Sequence, residues 1–122
     1  MSRGPHPNRT LERAIPVAEK RGTLLRFRQG PGVPCDFVIT GTDPVAFVRV
    51  KRAERILCTV DGIGIMYGEA LLQLSAAAPG PAISKELWIC SKHGTWRFFR
   101  VTNDGLTELD RDGLAIPRAA GK

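Results

Sequence analysis

Apolar residues recur along this chain in two rhythms, and the switches between them mark out its elements. From Thr10 to Arg21, Leu11, Ala14, Ile15 and Ala18 recur at the three- and four-residue steps that place side chains on one face of an α-helix, and Gly22 supplies a stop. Pro16 lies inside that span and lacks an amide hydrogen, so the pattern predicts either a kink there or a regular helix beginning near Ile15. Thr23 to Arg28 then reads as a strand, ended by Gly30, Pro31, Gly32 and Pro34.

The clearest hairpin follows, CDFVIT joined to VAFVRVK through Gly41, Thr42, Asp43 and Pro44. A symmetric turn about Thr42 and Asp43 opposes Asp36 to Arg49, Val38 to Phe47 and Thr40 to Val45, and opposed residues share a sheet face. Lys51 points the same way as Arg49, while Phe37, Ile39, Ala46, Val48 and Val50 take the other face. Both faces are therefore apolar in mid-hairpin, as in a strand pair covered on both sides. The polar exceptions, Asp36, Arg49 and Lys51, gather at one end of one face.

Arg52 to Pro81 is long enough for a crossover, and MYGEALLQLSAAA supplies a helix with Met66, Ala70, Leu71 and Leu74 on one side. A second hairpin pairs ELWICS with TWRFFRV around Lys92, His93 and Gly94, opposing Trp88 to Phe98 and Cys90 to Trp96. Aromatic residues at period two can stack on bases, but they more commonly pack beneath a helix, and core packing is the expectation. The order helix, three strands, helix, two strands predicts an α/β domain with a mixed five-stranded sheet flanked by helices. Its expected limits are residues 10–110, between a mobile N-terminal tail, 1–9, and a C-terminal tail, 111–122.

Composition narrows the function. No apolar run approaches the roughly 20 residues needed to cross a bilayer, and the N-terminus lacks a secretory stretch, so a cytoplasmic protein with no membrane partner is expected. Cys35, Cys58 and Cys90 are odd in number and widely spaced, which fits reduced core residues rather than disulfides or a zinc site. A net charge of +6 and a pI near 9.8 favour a polyanionic partner, with nucleic acid first among them.

The hairpin then resembles the PD-(D/E)XK superfamily, the restriction-endonuclease-like nucleases. Pro34-Cys35-Asp36 looks like the first half of that motif and Arg49-Val50-Lys51 like the second, and the element order is similar over about residues 10–101. The resemblance implies Asp36 as ligand of a Mg2+ or Mn2+ ion that activates water at a phosphodiester, with Lys51 stabilising charge on the phosphate. It also implies a nucleic-acid partner, DNA before RNA, and a homodimer, since family members often work as dimers. Arg49 departs from the pattern, standing where the family usually has its second carboxylate. An Arg facing Asp36 would pair with it and disfavour a metal. A migrated acid, from Glu12, Glu19, Glu54 or Glu69, or a bulge turning Arg49 away, would rescue the site. Two readings stand at this point: a metal-dependent endonuclease, or a descendant that needs no cofactor and binds without cleaving. A non-catalytic protein-interaction module is the rival from another class.

For phosphate contacts the sequence offers Arg49, Arg52 and Arg55 leaving the third strand, Arg26 and Arg28 on a neighbouring strand, and Lys92 and His93 at the second hairpin's tip. Solvated strand ends account for such residues equally well. Gly62, Gly64 and Gly68 lack the Lys-Ser/Thr ending of a phosphate loop, and are read as packing positions.

Overall fold

In a computed structural model of the protein, residues 7–27, 35–42, 44–54, 59–75, 83–102 and 105–116 are described. The expectations on Arg28, Pro34, Asp43, Arg55, Cys58 and Ala76 to Ala78 lie outside them, as do residues 1–6 and 117–122 of the expected tails.

The first helix, α1, runs from Pro7 to Glu19 and so begins inside the expected tail. Its buried side is Leu11, Ala14, Val17 and Ala18. Pro16 neither stops nor restarts it. Both Pro16 and Glu12, whose carbonyl is left without its i+4 donor, lie on the exposed side, where that carbonyl is open to solvent rather than stranded in the core. At the end of α1 a Cβ on Gly22 would sit 2.4 Å from the Thr40 carbonyl oxygen, so only glycine lets the chain pass this close to the hairpin.

Six strands follow in chain order: β1 (Thr23–Arg26), β2 (Phe37–Thr40), β3 (Val45–Ala53), β4 (Ile83–Ser91), β5 (Trp96–Thr102) and β6 (Gly105–Leu109). They form one sheet in that same order, with β3 and β4 parallel and every other pair antiparallel. The expected five strands become six because β6 lies in the turn-rich end of the chain, where the pattern predicts no strand. That strand is short, and its inward anchor is Leu109, which is buried against the α1 face. The crossover helix is likewise two helices, α2 (Val60–Met66) and α3 (Gly68–Ser75). Thr59 caps α2, its side chain accepting from the Gly62 amide at 3.1 Å. Tyr67, at φ −111° and ψ 30°, ends α2, and the Leu71 amide bonding back to the Tyr67 carbonyl opens α3.

The sheet is covered on both faces, as the doubly apolar hairpin requires. On one face α1 packs over Phe37, Ile39, Ala46, Val48, Val50, Trp88, Phe98 and Leu109. On the other, Ile63, Ala70 and Leu74 of α2 and α3 cover Val38, Leu87, Ile89 and Phe99. Burying each large apolar side chain contributes about 1.5–3 kcal/mol before entropy is subtracted. The aromatic hairpin belongs to this core: Trp88 is fully buried and meets Phe98 edge-on at 5.0 Å and Phe37 at 5.4 Å.

A polar cluster closes one end of the α1 face. Glu86 has no exposed surface, and its carboxylate accepts two bonds from Arg21 at 2.9 Å, one from Trp88 Nε1 at 2.9 Å and one from Ser84 Oγ at 2.8 Å. Ser84 in turn accepts from Arg100 Nε at 2.8 Å. Four donors satisfy the buried charge, so this carboxylate pins α1's end to β4 and β5.

Candidate functional site

The register of the first hairpin decides which residues meet. Phe37 pairs with Val48, Val38 with Phe47 and Ile39 with Ala46, the alignment that the symmetric turn predicts. The odd-numbered residues of β3 face α2 and α3: Val45, Phe47 and Ala53 pack in that cluster, and Arg49 and Lys51 continue the same alternation. Asp36, at the bend that opens β2, lies across from Arg49.

Arg49 Nη1 donates to Asp36 Oδ1 at 3.0 Å, and the Val50 amide donates to Asp36 Oδ2 at 2.7 Å. Both carboxylate oxygens are thus engaged, and the Arg49 and Asp36 side chains are only 11% and 7% exposed. Backbone bonds fix the geometry, since the Asp36 amide reaches the Val48 carbonyl at 2.7 Å and the Phe27 amide reaches the Asp36 carbonyl at 3.0 Å. Beside them, burial pushes the Cys35 thiol up to about 11; the Arg49 charge pulls it down and the Asp36 charge pushes it further up.

A divalent cation needs several free oxygen ligands, and these residues do not fit one. Asp36 spends one oxygen on a guanidinium and the other on a backbone amide, and a fixed positive charge stands beside it. Among the described residues no three His, Cys, Asp or Glu side chains gather where they could hold a metal. Glu12 and Glu19 are exposed on α1, which covers the opposite face of the sheet from Arg49 and Lys51, so the structure does not assemble them with Asp36. Of the other two acids, Glu54 is exposed and pairs with Lys92 at 3.6 Å. Glu69 shares a shallow hollow of about 320 Å³ with Lys51, Tyr67 and Gln73, on the same side of the sheet as Asp36.

The candidate phosphate contacts divide. Arg49 is committed to Asp36, whereas Lys51 is half-buried at the rim of the Glu69 hollow. Arg52 is exposed at the end of β3, Arg26 on edge strand β1, and Lys92 and His93 at the β4–β5 turn. Sequence reasoning passes over Arg13 and Glu86. Arg13 carries no motif, only an exposed place on α1 three residues after Thr10. Glu86 is legible in principle: a second hairpin with Trp88 opposite Phe98 also opposes Glu86 to Arg100, an acid facing a base in a covered sheet.

No family model matches the chain, and no curated protein matches it. Among solved structures, Hjc, a Holliday junction resolvase from the archaeal hyperthermophile Archaeoglobus fulgidus, is similar over 89% of this chain and 93% of that one, with a TM-score of 0.53 and 17% sequence identity. At this identity the likeness is one of fold alone. The matched span takes in the mixed sheet between α1 and the α2–α3 pair, with six strands in place of the expected five. Among the described residues no helix is long and apolar enough to cross a membrane.

Proposed function

We propose that this chain is a nucleic-acid-binding protein on a nuclease scaffold, in which Arg49 has taken the place of the second acid and cleavage has been given up. One observation carries the reading: the carboxylate that a nuclease of this fold would offer to a metal is spent, Oδ1 on Arg49 and Oδ2 on the Val50 amide. The pair is nearly neutral as a unit and caps the hairpin. What remains of the old chemistry is cationic, with Lys51 on the same strand and face and Arg52 beside it, in a chain of net charge +6. Such a surface attracts phosphates by Coulomb attraction and counterion release, neither of which needs a metal. The architecture shared with Hjc, a Holliday junction resolvase, supports DNA as the polyanion and a branched junction as the first substrate to try.

The test is direct. Labelled duplex, single-stranded and four-way-junction DNA are titrated with protein in EDTA across a salt series, and plasmid is incubated with protein in magnesium or manganese. Salt-sensitive binding with no nicking is the expected result. Nicking that disappears in both Asp36→Ala and Lys51→Ala would overturn the loss of cleavage. Failure to bind any of the three DNAs would overturn the nucleic-acid reading and leave the protein-interaction module.

A further inference from the structure

We propose that the hollow between Thr10, Arg13, Arg52 and Lys92 is a phosphate seat, the place where this chain grips the backbone of a nucleic acid. The inference rests on the function proposed above and adds a location to it, on the α1 side of the sheet rather than around Asp36. Three cations from three separately held elements line a hollow of about 150 Å³: Arg13 from α1, Arg52 from the end of β3, and Lys92 from the β4–β5 turn. Among the described residues no carboxylate lines it.

The opposite end of α1 offers a contrast. There Lys20, Arg21 and Arg100 line a larger hollow, but Arg21 is locked to the buried Glu86, Arg100 is spent on Ser84 and the Gly113 carbonyl, and Asp112 joins the wall. That hollow neutralises itself. At the Arg13 end, neither Arg13 nor Arg52 has an acidic partner among the described residues, and Lys92 has only Glu54, at 3.6 Å, with the carboxylate 81% exposed. An ion pair so open to water is readily exchanged for a phosphate.

The seat is also held in shape before any ligand arrives. The Lys92 amide donates to the Ala53 carbonyl at 2.9 Å, tying the turn to the end of β3. Ser91 Oγ, in a buried residue, accepts from the His93 and Thr95 amides at 3.2 and 3.0 Å. Thr10, which also lines the hollow, is 5% exposed, and Arg13 follows it by three residues on the same helix. Three like charges on rigid supports repel one another, and an anion between them relieves that repulsion. A phosphodiester supplies the charge, and its neighbour along a strand would fall towards His93, in the same exposed turn as Lys92.

Fluorescence anisotropy with labelled duplex and four-way-junction DNA over a salt series tests the seat. Arg13→Ala, Arg52→Ala and Lys92→Ala change exposed side chains and leave the fold intact. Each should weaken binding roughly 3- to 10-fold and lower the slope of log K against log salt by about 1, as expected for one lost phosphate contact. Lys20→Ala, about 10 Å away along the axis of α1, should change neither quantity. If wild-type protein binds DNA while the three variants match it in affinity and slope, the seat is wrong and the proposed function stands. If wild-type protein binds no DNA, both fall. Binding to phosphatidylserine vesicles in place of DNA, lost in the same variants, would overturn the assignment to nucleic acid.

Discussion

Replacing Arg49 with Glu should make the stability of this protein depend on a divalent metal. In the native hairpin Arg49 Nη1 meets Asp36 Oδ1 at 3.0 Å, with both side chains nine-tenths buried or close to it. A hydrogen bond to a charged group contributes about 1.5–3 kcal/mol, and facing carboxylates in its place add repulsion. Arg49→Glu should therefore lose about 2–4 kcal/mol without metal, out of the roughly 5–15 kcal/mol of a typical domain. The variant stays folded but melts roughly 10–20 °C lower, given the usual fall per kcal/mol for a domain of this size. It also creates what the wild type lacks, two carboxylates side by side at the entrance to β2. A metal that binds only the folded state stabilises it by about 2.7 kcal/mol at 100 times its dissociation constant, enough to restore most of the loss. Thermal unfolding followed by circular dichroism, with and without manganese at low ionic strength, measures all of this. Arg49→Gln is the control, losing stability with no response to manganese. An equal manganese-induced rise in wild type, or an Arg49→Glu protein as stable as wild type without metal, would refute the reasoning.

Two further outcomes follow from buried groups. Glu86→Gln keeps the shape of the side chain but strands the Arg21 guanidinium without its counter-charge, and should cost about 3–5 kcal/mol in urea unfolding; a loss below about 1 kcal/mol would show the cluster to be dispensable. Cys35, raised from 9.0 to about 11 chiefly by burial, is neutral in the folded state over a range where an unfolded thiol ionises. Its contribution to stability is complete below pH 9.0 and disappears as pH climbs through about 11, so the stability of Cys35→Ala should fall less steeply across that window than wild type, and matching slopes would contradict it.

Much of the central sheet was legible because both hairpins are covered on both faces. The opposition of Asp36 to Arg49 came from a symmetric turn about Thr42 and Asp43, and the structure keeps that register in pairing Phe37 with Val48 and Val38 with Phe47. Trp88 opposite Phe98 and Cys90 opposite Trp96 were readable for the same reason, and the structure pairs them so. The sixth strand escaped notice because GLTEL shows only one deeply buried residue, Leu109, at its end. The division at Tyr67 was equally hidden, since Met66 to Leu74 keeps a helical spacing of apolar residues across the break. At the site, the pairing of Asp36 with Arg49 came from register, whereas the distance of Glu12 and Glu19 from it depends on which face α1 covers. The alternation of apolar residues on a strand does not say which helix lies on which side.

The agreement between strand order and chain order has a consequence for how the molecule is made. Each strand is laid down against the one before it, so no strand must wedge between two already joined, and a ribosome can deliver the sheet progressively from one margin to the other. Arg21 and Glu86 lie 65 positions apart, so the clasp between them closes only after the fourth strand has emerged, late in synthesis. Until then the nascent chain holds a bare guanidinium at the foot of its first helix, and the finished fold is sealed by that meeting rather than by its first hairpin.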